Sequence, residues 1–177
     1  MKKMSLLSLI ISLMLVSGIN LLSAQDGNPL EGYSAGINVS YPLVAGEYFS
    51  GDGNTGASVG IVVDTPYGFD LGSFSVGVGA GVELANMGAN DGFSYTGFYL
   101  SLESTVYELP QGPISLYGGG GWYDGLAGTG AVTFDYAISD QPIVIQPYLR
   151  ATILLNANGN DEASGLMSIG AMVNYSF

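Results

Sequence analysis

Residues 32–44, GYSAGINVSYPLV, alternate without a break. Tyr33, Ala35, Ile37, Val39, Tyr41 and Leu43 fall on one face, and Ser34, Gly36, Asn38, Ser40 and Pro42 on the other. A period of two over such a length describes a β-strand with one apolar and one polar face. The last residues, LMSIGAMVNYSF, repeat the pattern: Met167, Ile169, Ala171, Val173, Tyr175 and Phe177 alternate with Ser168, Gly170, Met172, Asn174 and Ser176. Six further segments of the same kind lie between, at roughly 56–65, 72–85, 93–107, 114–124, 129–139 and 143–155. No helical period interrupts them. The alternation therefore predicts eight strands, and every one has a greasy side to place somewhere.

The connections decide how the strands are joined. TPYGFD, ELPQGP and SDQP are short and carry turn residues, whereas AGEYFSGDGNTG, NMGAND, DGLAGTG and NANGNDEASG are mostly longer or more polar. Tight turns at one end and longer loops at the other suit an antiparallel up-and-down barrel. In a water-soluble barrel the apolar face points inward and the polar face meets solvent. Here the polar face is mainly Gly, Ser, Thr and Asn with few charges, and 15 acids face 3 bases. That is poor clothing for a surface in water, so the expected fold is all-β, an eight-stranded antiparallel up-and-down transmembrane β-barrel.

The N-terminus agrees. Lys2 and Lys3 precede an apolar stretch from Leu6 to Val16, followed by the small residues Ser23 and Ala24. This is the layout of a secretory signal peptide, assigned to residues 1–24, with the barrel domain at 25–177. Removing 24 of the 177 residues leaves 153, with Arg150 as the sole base against 15 acids, a net charge of −14. Such a charge argues against nucleic acid, because nothing would neutralise the phosphates. With no cysteine, no disulfide contributes to stability.

A signal sequence, eight amphipathic strands, alternating turns and loops, and a terminal VNYSF resemble the small outer-membrane β-barrels of the OmpA/OmpX-like eight-stranded type. The resemblance implies a place in the bacterial outer membrane, contact with outer-membrane lipid, a monomer, and a structural or surface-interaction role. It also implies an assembly signal read by the barrel assembly machinery, in which Val173, Tyr175 and Phe177 occupy the matching alternate positions. The chain departs from better-known members in its short loops and near-absence of Lys and Arg. The alternative reading is a narrow channel or binding barrel for small, possibly hydrophobic, molecules, favoured by the lumen-side glycines Gly77, Gly79, Gly81, Gly119 and Gly121.

The run Gly118, Gly119, Gly120, Gly121 within LYGGGGWYDG belongs on this reading to the fifth strand. A phosphate loop would need a following helix and a Lys-Ser/Thr pair, and neither is present. Gly119 and Gly121 are assigned to the lumen beside Tyr117 and Tyr123, and Gly118 and Gly120 to the outer face beside Leu116 and Trp122. The expected cross-strand partners are Asp135 for Gly119, Thr133 for Gly121, Tyr136 for Gly118 and Phe134 for Gly120. On the outer face the aromatics would cover bare glycine backbone.

Without His or Cys, a Ser nucleophile has no ordinary activating base, so the chain reads as a non-enzyme with no cofactor. The loop at 156–165 is rich in oxygen ligands but lacks the spacing of a calcium loop, and no metal site is assigned. The remaining chemistry is electrostatic. Asp64, Glu83, Glu103 and Asp135 fall on lumen-facing positions, as does Arg150. Arg150 is expected between Ala131 and Gly170, paired with Asp135 or Glu103 in preference to Glu83. A charge away from bulk water requires such a partner.

Overall fold

The computed structural model describes residues 30–46, 56–72, 75–87, 93–123, 125–155 and 163–177. The assigned signal peptide, Phe74 and the oxygen-rich stretch 156–162 lie outside the described residues. Eight strands follow one another: β1 (Ser34–Ala45), β2 (Ser58–Asp70), β3 (Ser75–Met87), β4 (Phe93–Leu109), β5 (Gly112–Tyr123), β6 (Leu126–Phe134, resuming at Tyr136–Ala137), β7 (Ile143–Leu155) and β8 (Ser164–Ser176). Each is antiparallel to its sequence neighbours, and β1 pairs with β8 to close the ring.

The ring is staggered. Following the ladder from Ser34 through Asp64, Gly79, Ser101, Gly119, Thr129, Thr152 and Leu166 leads back to β1 at Ala45, eleven residues further along. One of those residues, Leu43, is the extra residue of a bulge between Pro42 and Val44. Such a stagger tilts the strands, and with eight of them the interior is just wide enough to be filled by side chains. The start of β1 and the end of β8 meet at one rim, where Ser34 pairs with Ser176.

The alternation seen in the sequence separates two surfaces. Ile37, Ile61 and Leu100 point outward and are 60%, 60% and 62% exposed, while Asn38, Glu83 and Arg150 point inward and are 2%, 0% and 5% exposed. Apolar outside and polar inside is the reverse of a water-soluble barrel, and it is the arrangement of one that sits in hydrocarbon.

Two expectations are corrected. The loop foreseen between the fifth and sixth strands is a tight hairpin: β6 begins at Leu126, opposite Trp122, and the Tyr123 amide donates to the Gly125 carbonyl at 2.8 Å. This early start shifts the β5–β6 register. Gly119 faces Thr129 instead of Asp135, and Gly121 faces Ala127 instead of Thr133. Gly118 and Gly120 face Gly130 and Gly128 instead of Tyr136 and Phe134. The shift is an even number of residues, so every side chain keeps its face. The outer glycines are thus bare, with no aromatic opposite them.

The glycine run nonetheless does two different jobs. A Cβ on Gly119 would lie 2.3 Å from the Leu100 carbonyl oxygen, and one on Gly121 would lie 1.9 Å from that of Phe98. These inward glycines let the β4 and β5 backbones approach where the sheet curves tightly. On the outer face a Cβ on Gly118 or Gly120 meets nothing nearer than 3.5 Å. Gly121→Ala should therefore lower stability by about 1–3 kcal/mol, and Gly120→Ala should change it by less than about 0.5 kcal/mol. Urea midpoints of the two variants folded into lipid vesicles check this; equal midpoints would contradict it.

Candidate functional site: the barrel interior

Arg150 on β7 reaches across the lumen to Glu83 on β3. Nη1 donates to Oε2 at 2.7 Å, Nη2 donates to Oε1 at 2.5 Å, and Nη2 also donates to Ser40 Oγ at 3.3 Å. The parallel pair of bonds is the strong geometry for a guanidinium on a carboxylate. Both side chains are shut off from solvent. The Tyr148 ring packs against the guanidinium, its centroid 5.6 Å from Cζ, and Ser40 meets Ser58 Oγ at 2.6 Å.

Glycines make room for this crossing. Glu83 stands between Gly60 and Gly97 on the neighbouring strands. Arg150 stands between Ala131 and Ser168; the expected neighbour Gly170 instead faces Tyr148. Three lumen tyrosines each lie over a cross-strand glycine: Tyr99 over Gly81, Tyr123 over Gly97 and Tyr148 over Gly170. A Cβ on any of the three glycines would fall 2.3–2.5 Å from a ring atom. Tyr99 and Tyr123 stack with centroids 6.2 Å apart, and Tyr117 meets Tyr99 edge-on at 6.1 Å. Toward the loop end, Tyr123, Ala127, Leu154 and Leu166 form a buried apolar layer. Beside the ion pair a cavity of only about 30 Å³ remains, lined by Asn38, Tyr117, Tyr148 and Arg150 among others. That is room for a water molecule or two.

The pairing corrects the expectation that Asp135 or Glu103 neutralises Arg150. The reason is depth. Glu83 lies four residues from the loop end of β3 and Arg150 five from that of β7, whereas Glu103 lies ten from that of β4. Five residues of strand amount to roughly 17 Å. Asp135 sits at the other end, where β6 is interrupted. It accepts hydrogen bonds from Gln146 Nε2 at 2.8 Å, Ser115 Oγ at 3.1 Å and Thr133 Oγ1 at 3.2 Å. Asn174 Nδ2 donates to Gln146 Oε1, extending this network to β8.

The acids left over share a compartment. Asp64, Glu103 and Asp135 line an open cavity of about 520 Å³ at the rim where Ser34 meets Ser176. Ser34 Oγ donates to Asp64 at 2.9 Å. Glu103 carries no hydrogen bond or ion pair among the described residues. No cluster of three His, Cys, Asp or Glu among the described residues is arranged to hold a metal. The interior thus has two halves: a closed middle centred on Arg150 and Glu83, and an acidic, solvent-accessible vestibule. The alternation places each of these acids, and Tyr117 and Tyr123, on the inner face but does not foresee the packing of lumen tyrosines over glycines, whose signal is the glycine at the same inward parity on the adjacent strand. Val173, Tyr175 and Phe177 lie at the end of β8 with their side chains on the outer wall, and Tyr175 and Phe177 pack edge-on at 5.1 Å.

Removing one partner of a buried pair leaves the other charge unmatched, so Arg150→Met and Glu83→Gln should each cost about 3–5 kcal/mol. The double variant should lose less than the sum by at least ~1 kcal/mol. Urea unfolding in lipid of all four proteins measures the coupling, and additive losses would mean the two side chains act independently.

No family model matches the chain, and no curated protein sequence does. Among solved structures, Neisserial surface protein A is similar with a TM-score of 0.50 at 10% identity, over 83% of this chain and 98% of the other. The translocator domain of the autotransporter NalP from Neisseria meningitidis aligns over 99% of this chain and 98% of its own at 14% identity, with a TM-score of 0.31. The first likeness is one of fold, and Neisserial surface protein A is an eight-stranded outer-membrane barrel. The chain has the fold of the small eight-stranded outer-membrane β-barrels.

Proposed function

We propose that the protein is a non-catalytic barrel of the bacterial outer membrane, with the ring as anchor and the loops as the part that meets other molecules. The observation that supports this is the closed middle of the lumen. Arg150, Glu83, the stacked tyrosines and the apolar layer of Leu154 and Leu166 fill the section that any conduit would have to cross. What an eight-stranded ring does without a pore, it does at its surfaces. Residues 1–24 act as the export signal. The outward row Val173, Tyr175 and Phe177 at the end of β8 serves as the signal to the assembly machinery. Lipid covers the wall, and the barrel works as a monomer.

Orientation follows from the connections. The start of β1, the end of β8 and the turns at 110–111 and 138–142 lie at one rim. That rim faces the periplasm, and the segments joining β1 to β2, β3 to β4, β5 to β6 and β7 to β8 face outward. Protease added to intact cells should cut only in those segments, while a cut within 108–113 or 139–142 would reverse the orientation. The channel reading draws on the 520 Å³ vestibule. Conductance separates the two: the purified barrel in a planar bilayer should be silent, and discrete ion currents would favour a narrow channel.

A further inference from the structure

We propose that the rim where Ser34 meets Ser176 holds a lateral binding site for a cationic amphiphile, its head in the acidic vestibule and its tail in a groove on the outer wall. The site lies near the rim, where the β3–β4 ladder ends. The β3–β4 ladder stops at Gly77 and Glu103. Beyond it β3 continues only with β2, pairing Val76 with Phe69 and Ser75 with Asp70. β4 continues only with β5, as far as Leu109 opposite Gly112. Two hairpins therefore pass the last shared pair with no ladder between them among the described residues.

Glu103 stands at this division and lines cavities on both sides of the wall. The inner one is the vestibule. The outer one, of about 610 Å³, is lined by Val76, Val78, Leu102, Leu116, Gly118 and Gly120 among others. Its floor is recessed because the two glycines project nothing. Val76 is only 7% exposed despite its outward parity, which gives the groove depth at the rim. Val78, Leu102 and Gly118 follow one another across the strands, as do Leu100 and Gly120 one step nearer mid-height. The groove thus extends from the end of the β3–β4 ladder across the outer face of β4 to β5, where an acyl chain in the surrounding lipid can reach it. Tyr67, Phe69 and Tyr107 are exposed on the two hairpins, suited to the headgroup level where a tail begins.

Charge complementarity selects the head. Asp64, Glu103 and Asp135 face one compartment, and Arg150, the single base outside the first three residues, is committed to Glu83. Asp64 and Asp135 have donors of their own, whereas Glu103 has none. An anionic head, carboxylate or phosphate, would be repelled; an ammonium or guanidinium would supply what Glu103 lacks. This site goes beyond the anchoring role and rests only on the outer wall facing hydrocarbon.

The test uses the full barrel, methyl-labelled at Val and Leu, folded into phosphatidylcholine nanodiscs and titrated with dodecylamine, dodecanol or dodecanoate. Dodecylamine should shift the Val78, Leu102 and Leu116 methyls saturably, at a concentration about tenfold below dodecanol, with dodecanoate weakest. Glu103→Gln should raise the dodecylamine half-saturation about tenfold, and Gly118→Leu, which fills the groove, should abolish the shifts. Asp64→Asn serves as the second charge variant if Glu103→Gln does not fold. Equal response to all three probes, or an unchanged half-saturation in the charge variant, would overturn the site. The heat shift of the same unvaried sample on a gel is read in parallel. Its loss would overturn the barrel reading itself, and the site with it.

Discussion

A sheet in hydrocarbon has no water to satisfy its backbone, so each strand must find a partner on both sides. Eight strands meet that condition only by closing β1 onto β8, and the closure fixes almost everything else. It sets a small circumference, and the stagger from Ser34 to Ala45 sets the tilt. Curvature of that degree crowds the inner surface. Gly119 and Gly121 relieve it against β4, and Gly81, Gly97 and Gly170 relieve it by accepting tyrosine rings. These inward glycines are thus a consequence of barrel size. The ladders do not all end level: β3 and β4 stop pairing at Gly77 and Glu103, while β4 and β5 run on to Leu109 and Gly112.

Closure also creates an interior that must be polar enough to suit the inward parity yet dry enough to be stable. A lone arginine there would be costly, because an ion removed from water loses several kcal/mol of solvation that its partner must restore. The bidentate contact with Glu83, the third bond to Ser40 and the Tyr148 ring together satisfy much of the guanidinium. The remaining acids stay near the rim, where solvent and Ser, Thr and Gln donors reach them. Among the described residues, interior charge is thereby sorted along the axis, paired in the middle and negative at the rim where Ser34 meets Ser176.

The strand count, the closed fold and the inward or outward direction of side chains such as Arg150 and Ile37 were legible in the sequence, because a period of two records them directly. Register was not. Pairing by an even offset preserves every face, so nothing in the alternation distinguished Thr129 from Asp135 as the partner of Gly119. The error came from DGLAGTG, whose small residues read as loop although Leu126–Gly130 already belong to β6. The partner of Arg150 was hidden for a related reason. Tilt and stagger bring together residues at equal depth across the lumen, and depth follows from strand ends, which are the least certain feature of a pattern. Once Met87 and Leu155 are fixed as ends, Glu83 is at the right height.

The central claim is the inverted barrel: apolar wall outward to hydrocarbon, closed polar middle within. Nuclear Overhauser contacts between lipid acyl protons and protein methyls in nanodiscs test it most directly. The account predicts contacts from the chains to Ile37, Ile61, Leu100 and Val173, and none to Leu154, Leu166 or Met172, which are buried inside. Contacts to the second group with silence from the first would contradict it.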